Sequence, residues 1–376
     1  MRNVAILSNR IGDLALQNLS IGQLEMDGVS INVGIVPTAS MNFDKNLPEN
    51  RCKVLVRIKA FSCNYRDKTL IFATVKAGIV RSFYVIGSEF VGEVLETGPD
   101  VTGFQAGDRV IGNNHFTGSG MNPNGIPEGL PTNNASREYQ AFHQDKLIKI
   151  PPNMPDEVAA AFSIGAQTSY SMIRKLQVTE GSNVLVTAAK SNTSLFAICA
   201  LQKYGANVYA ISTSQCFEKE LQDIGVKDLV VVAPETKSLA QHSRIEEIVR
   251  KVGPFDYVID PFFDLYLGKV IEIMSPGARY VTCGFQNQYQ KIIGQEFQSN
   301  GHDLQHVMAF AMLKNAQIIG NCLGLTRDLE QALEDYAAGS FDIIVDSVFG
   351  DNQVVEFFNR TYNATDRFGK VVFQYD

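Results

Sequence analysis

Asn183-Val184-Leu185-Val186-Thr187, a loop of small and polar residues, an apolar stretch from Ser194 to Tyr204 closing at Gly205, then Asn207-Val208-Tyr209-Ala210-Ile211-Ser212: the fold turns on this stretch. A short apolar run bounded by turn residues reads as a buried strand, and a longer apolar stretch ending at glycine reads as a helix. Strand, helix and strand at this spacing form a parallel βαβ unit. The pattern continues downstream, with Asp228–Val232, Asp256–Asp260 and Ala278–Thr282 as strands separated by helical stretches, and Gln317–Asn321 as a sixth. Upstream the rhythm differs. Glu157–Phe162 and Gln167–Ile173 read as helix, whereas residues 1 to about 165 read as short strands and turns. Lys53–Phe61 and Phe90–Glu96 alternate apolar with polar residues, and Ala106-Gly107-Asp108 is a turn feeding Arg109-Val110-Ile111. Gly28–Asn50 reads as an added hairpin or loop.

A chain of 376 residues exceeds one ordinary core, so two domains are expected. Hydrophobic residues at 45% and charged residues at 19% are those of a compact globular protein. The net charge of −7 gives no footprint for nucleic acid or an anionic membrane surface. No run is long enough to span a bilayer, and the apolar start is broken by Asn9, Arg10 and Asp13, unlike a signal peptide. The six cysteines are scattered without a CxxC pair, which argues against a disulfide framework or a structural zinc site. They are expected to be reduced and mostly buried in a cytoplasmic protein.

The loop after the first buried strand is Ala188-Ala189-Lys190-Ser191-Asn192-Thr193-Ser194. A dinucleotide site usually has glycines here, for a tight turn and for close approach of backbone to pyrophosphate. Two readings are open. The hydroxyls and amide of Ser191, Asn192 and Thr193 bind phosphate beside the helix N-terminus, or phosphate binding is lost and they only cap the helix. The second strand ends Ser212-Thr213-Ser214 without the carboxylate that accepts from the NAD ribose. Hydroxyls can donate to a 2′-phosphate that a carboxylate would repel, so NADPH is the expected cofactor. Lys219 would add a cation, or is a solvated charge on a helix face.

A second set of motifs runs from Lys53-Val54-Leu55-Val56-Arg57-Ile58 through Asn64-Tyr65-Arg66-Asp67 and Gly87-Ser88-Glu89-Phe90-Val91-Gly92 to Gly107-Asp108-Arg109-Val110. This frame resembles the catalytic domain of the medium-chain dehydrogenase/reductase superfamily, and the resemblance extends to the end of the chain. It implies an α/β protein with a GroES-like β-rich catalytic domain (residues 1–167 and 324–376) and a Rossmann doubly wound parallel sheet (residues 168–323). The phosphate loop then matches the superfamily's Ala/Gly-x-x-Gly-x-x-Gly variant, with Ala188 at the first place and Ser191 and Ser194 at the glycines. Zinc-dependent members carry a Cys in the first motif and a His after the Gly of the second, where this chain has Asn64 or its neighbours and Ser88. Neither amide nor hydroxyl substitutes as a zinc ligand. The family's zinc lobe of four close cysteines is replaced by Asn113–Asn134, rich in Gly, Asn and Pro. No metal is expected.

Asn64-Tyr65-Arg66-Asp67 resembles the corresponding motif of zinc-free quinone oxidoreductases and enoyl reductases. The resemblance implies that Tyr65 hydrogen-bonds or protonates the acceptor, or is only a wall of the site. It implies further that Asn64 orients a partner and Ser88 lines the pocket, with Glu89 a buried structural acid and Arg66 with Asp67 a pair holding the loop. Thr168 is expected against the nicotinamide, Cys283-Gly284-Phe285 against its carboxamide, and Lys370, in the returning tail, at the cofactor. Cys283 has no basic neighbour to make it reactive. His302 and His306 read as surface decoration, while His115 and His143 carry no assignment. The implied activity is NADPH-dependent reduction of an activated C=C bond in an enone, quinone, enoyl thioester or dehydroamino acid of a peptide, by a homodimer. The alternative is a non-catalytic binding or structural protein on a degenerate frame.

Overall fold

The structure, a computed structural model, describes residues 1–7, 21–77, 83–131, 134–295 and 304–376. Two compact units are present. One comprises Met1–Ile164, Tyr289–Gln295 and Ile344–Asp376, the other Gly165–Gln288 and Glu296–Ile343.

The second unit holds a six-stranded sheet in the order Val226–Val231, Asn207–Ser212, Asn183–Val186, Phe255–Asp260, Met274–Thr282, Gln317–Gly320. Every pairing is parallel. In chain order this is third, second, first, fourth, fifth, sixth, the doubly wound dinucleotide-binding order. Its first strand is buried along its whole length, which explains why Asn183–Val186 reads as a continuous apolar run instead of alternating. The helix Asn192–Leu201 follows, then a single turn Gln202–Tyr204 that ends on Gly205 in the left-handed region. A Cβ on Gly165 would sit 2.6 Å from the Phe196 ring, so only glycine allows this approach. Residues 324–343, expected with the catalytic domain, group here instead. Arg174 grips Asp328 at 2.6 and 2.8 Å, and the Tyr170 hydroxyl donates to Asp335 at 2.6 Å.

The first unit is built on a sheet in the order Val345–Phe349, Lys370–Gln374, Lys53–Ser62, Glu89–Thr97, Arg109–Gly112, Leu147–Lys149, with Tyr139–His143 also paired to Lys53–Ser62. The returning tail lies antiparallel to Lys53–Ser62, with Phe373 opposite Phe61. Phe61, Phe357 and Phe373 form the centre of its core, with Phe61 ring centroids 5.5 and 5.3 Å from the other two. Each such ring contributes roughly 1.5–3 kcal/mol by burial.

A smaller sheet of Ile21–Met26, Val29–Ile35, Val4–Leu7 and Phe83–Val85 completes the unit. Its hairpin turns at Asp27 and Gly28, both left-handed (φ 48° and 79°), the conformation for which Asp-Gly is favoured. The added hairpin therefore starts before Gly28, and only its second strand falls inside Gly28–Asn50. The described part of Asn113–Asn134 is organised by carboxylates. Glu128 accepts from the backbone N–H groups of Thr117, Gly118 and Ser119 at 3.1, 2.9 and 3.1 Å. The Thr117 hydroxyl, with the backbone N–H groups of Thr117, Gly118 and Gly120, holds its carboxyl down to about 2. Asp145 accepts from the side-chain amides of Asn122 and Asn124.

None of the six cysteines forms a disulfide, but the expectation that most are buried is wrong. Cys63 is buried, Cys52, Cys199 and Cys283 are half-buried, and Cys216 and Cys322 are exposed. Among the described residues no helix is long and apolar enough to cross a membrane.

Candidate active site

Lys53–Ser62 delivers the chain to Asn64, which precedes the helix Tyr65–Lys76. Asp67, in the first turn, reaches back to accept from the Asn64 backbone N–H at 2.7 Å, satisfying a donor the helix leaves open. The same Asp67 oxygen accepts the Ser88 hydroxyl at 2.7 Å. The Asn64 side-chain amide donates to Ser88 Oγ at 3.1 Å and to Glu89 Oε1 at 2.6 Å. Lys370 closes the network from the tail strand, donating to Asn64 Oδ1 at 2.9 Å and to Glu89 Oε1 at 2.6 Å. The other Glu89 oxygen accepts the Ile164 N–H at 2.9 Å.

Ser88, Glu89 and Lys370 are each only 1% exposed and Asp67 is fully buried. Such a network is stable only when its members answer one another's hydrogen bonds. It nearly does so, the exception being Asp67 Oδ1, which has no hydrogen-bond partner. Burial raises the Asp67 carboxyl above its ordinary value, against the pull of Asn64, Ser88 and the Arg66 charge. Asp67 is thus tied to Asn64 and Ser88, while Arg66 acts on it as a nearby charge. Glu89, expected to be a buried acid, is buried and bonded through both oxygens. Lys370, expected at the cofactor, lies inside this network.

Tyr65 projects from the same helix toward a second cluster. Its ring lies 5.8 Å from that of Tyr289, and the two hydroxyls are hydrogen-bonded. Tyr289 also bonds Asp27 in the hairpin turn, and Lys68 pairs with Asp27 at 2.6 Å. The Lys68 ammonium stands 4.8 Å over the Tyr289 ring. Of the unassigned histidines, His143 accepts the Asp145 N–H at 3.2 Å, and the His115 carbonyl accepts the Gly129 N–H at 2.9 Å. His302 lies outside the described residues. His306 sits 3.4 Å from Glu272.

In the second unit Ala188 adopts φ 47°, the left-handed backbone that a glycine would take at the start of the loop. For alanine this costs about 1 kcal/mol. Ser191 caps the helix, accepting the Ser194 N–H at 3.2 Å, and the Ser194 hydroxyl donates to the Thr187 carbonyl at 2.7 Å. Both serines at glycine places therefore bond within the protein. Asn192 and Thr193 are half-buried in the first turn, and the Thr193 carbonyl accepts from Ser169, next to the buried Thr168.

At the end of the second strand, Ser212 is buried and accepts the Ser214 N–H, whereas Thr213 is exposed. Lys190 donates to Ser214 Oγ at 2.9 Å. Lys219 is instead a solvated helix-face charge, paired with Asp223 at 3.2 Å and 85% exposed. Lys190 is thus the cation at the strand end that sequence reading overlooked, although it stands in the loop.

Asp260, at the end of the fourth strand, was also missed. It accepts from Thr187 Oγ1 at 2.7 Å, the Phe262 N–H at 2.8 Å and the Tyr280 hydroxyl. Burial pushes it up to about 6 against these bonds. Cys283 follows the fifth strand, and burial, reinforced by the Asp260 charge, pushes its thiol up to about 12, so it is no ready nucleophile. A Cβ on Gly284 would come within 2.9 Å of the Pro261 carbonyl. Phe285 is 41% exposed and its ring lies 5.8 Å from that of Phe263.

Residues 50–152 match the alcohol dehydrogenase GroES-like domain. Together with the fold and the site motifs, this places the chain in the medium-chain dehydrogenase/reductase superfamily of oxidoreductases. The acryloyl-coenzyme A reductase of Metallosphaera sedula is 27% identical over 308 residues, spanning 78% of this chain and 83% of that protein. A solved NAD-dependent alcohol dehydrogenase shares the fold with a TM-score of 0.74 at 22% identity, over 100% of this chain and 99% of its own. The CurK enoyl reductase shares it with a TM-score of 0.68 at 18% identity, over 95% and 99%.

Proposed function

We propose that the protein is a zinc-independent reductase that transfers hydride from NADPH to a C=C bond conjugated to a carbonyl. The observation that carries this is the bonding of Ser88 and Asn64, which stand where zinc ligands would be. Ser88 donates to Asp67 and Asn64 to Ser88 and Glu89. Among the described residues no group of three metal-binding side chains converges. A plain ketone would then lack its main electrophilic aid, whereas a conjugated carbonyl draws hydride to the β-carbon by itself. The named substrate of the M. sedula relative, acryloyl-coenzyme A, is such an alkene.

The cofactor fits the residues present. The left-handed Ala188 gives the tight turn, the N–H groups of Asn192 and Thr193 open the helix, and Lys190 with Ser214 and Thr213 offers donors to a 2′-phosphate. When bound, NADPH supplies the hydride. The chain's own contribution is to orient the acceptor and deliver a proton, the role given to Tyr65. Six cysteines without a disulfide fit a reducing cytoplasm. NADPH oxidation should be followed with acryloyl-coenzyme A, an enone, a quinone and a dehydroalanine peptide, against simple ketones. Turnover of a conjugated acceptor alone supports the reading, and turnover of simple ketones or of nothing overturns it.

Lys190→Ala is expected to weaken NADPH binding by roughly 10–100-fold, because a hydrogen bond to a charged group is worth about 1.5–3 kcal/mol. NADH affinity should change little. Fluorescence titration with both cofactors measures this, and an equal loss for both would sink the 2′-phosphate role.

A homodimer is the proposed assembly. Helix Leu304–Lys314 exposes Leu304, Met308, Met312 and Leu313, and beside it in sequence the edge strand Gln317–Gly320 exposes Ile318. Unpaired edges with apolar surface mark association sites. Light scattering at micromolar concentration is expected to give the dimer mass, and Met312→Glu the monomer mass. A monomeric wild type would contradict this.

A further inference from the structure

We infer that Tyr289 and Asp27 form a proton relay that recharges Tyr65 from solvent. This rests on the reading of Tyr65 as the group that protonates the reduced acceptor. Tyr289 is fitted to the task by its place: its ring lies 5.8 Å from that of Tyr65 and 4.8 Å from the Lys68 ammonium that pairs with Asp27, and its hydroxyl bonds Tyr65 and Asp27. It is 7% exposed and packs against Phe72, the rings tilted with centroids 5.0 Å apart. Burial, with the Tyr65 and Asp27 bonds, raises its phenol and keeps the proton on it.

The outer end differs. Asp27 sits in the exposed turn of the hairpin, with its side chain 34% exposed, and Lys68, itself buried, holds it at 2.6 Å. The path therefore joins Asp27, Tyr289 and Tyr65, on three segments far apart in sequence. Helix packing alone does not require a hydroxyl at Tyr289, since its apolar neighbours would accept a phenylalanine.

The steps balance. Hydride bonds to the β-carbon and the π electrons move to the carbonyl oxygen, giving an enolate. The enolate α-carbon takes the Tyr65 proton as the carbonyl re-forms, leaving a phenolate. Tyr289 gives its proton to Tyr65 and recovers one that enters from solvent at its Asp27 side. The net consumption is one hydride and one solvent proton.

Tyr289→Phe keeps the ring and removes the hydroxyl. Asp27→Asn keeps the turn, because asparagine tolerates the left-handed backbone. Each variant is expected to lower kcat by about 10–100-fold, less than the loss of the acid itself, with KM for NADPH unchanged. The independent readout is the carbon-13 shift of the Tyr65 phenolic carbon in cofactor-free protein labelled at tyrosine. It should move in Asp27→Asn, and the same change should do nothing further in a Tyr289→Phe background. If Tyr65→Phe slows turnover while Tyr289→Phe stays within twofold and the Tyr65 signal ignores Asp27, the relay is wrong and the Tyr65 role stands. If Tyr65→Phe is itself silent, both fail together.

Discussion

Lys370→Met is expected to destabilise the protein by about 3–5 kcal/mol, because it leaves a buried carboxylate without its counter-charge. The Glu89 side chain has no exposure and the Lys370 side chain 2%, and their pair at 2.6 Å also anchors Asn64. Removing the ammonium orphans Glu89 and the Asn64 carbonyl oxygen together. Adding Glu89→Gln to Lys370→Met should recover part of the loss, since the orphaned charge is then gone. Denaturant unfolding of the three proteins measures this, with the first unit followed by its own probe because two units need not unfold in one step. A loss below about 1 kcal/mol for Lys370→Met, the range of an exposed pair, would mean that the network is solvated.

Tyr65→Phe should lower turnover by about 10²–10⁴-fold while leaving NADPH affinity nearly unchanged, the cost of removing one general acid. Phenylalanine preserves the ring contact with Tyr289, 5.8 Å between centroids, so packing is conserved. Steady-state kinetics with the best acceptor, beside a cofactor titration, separates the two effects. Activity within a few-fold of wild type would make Tyr65 a wall. Ser88→Ala is the companion variant. The Ser88 hydroxyl donates inward to Asp67, so its loss should act through the position of Asn64 and the stability of the network.

The parallel sheet was legible because its strands carry short apolar runs, the first buried along its whole length, and are separated by helices. Asn64, Ser88 and Glu89 were singled out one by one because their motifs are short and local, but that they bond one another, with Ser88 turned inward to Asp67, was not legible. Their partners were not. Lys370 joins them from the tail strand, and what it bonds there depends on the pairing of Lys370–Gln374 with Lys53–Ser62. Tyr289 leaves no local signal, since it follows the fifth Rossmann strand yet packs on the first unit beside Tyr65 and Phe72. Lys190 stood in plain view in the phosphate loop, but its neighbour Ser214 lies across a strand pairing that periodicity does not reveal. The cysteines were misjudged because burial follows from position in a packed structure, and Cys216 and Cys322 fall on its surface.

The most direct test of a metal-free reduction of an activated alkene follows the label. Protein whose metal content has been measured would turn over acryloyl-coenzyme A with NADPH deuterated at its transferable position, and the product would be read by NMR. The account predicts deuterium on the β-carbon of a saturated thioester, from protein without stoichiometric zinc. Label on a carbinol carbon, or activity that follows bound zinc and vanishes with a chelator, would contradict it.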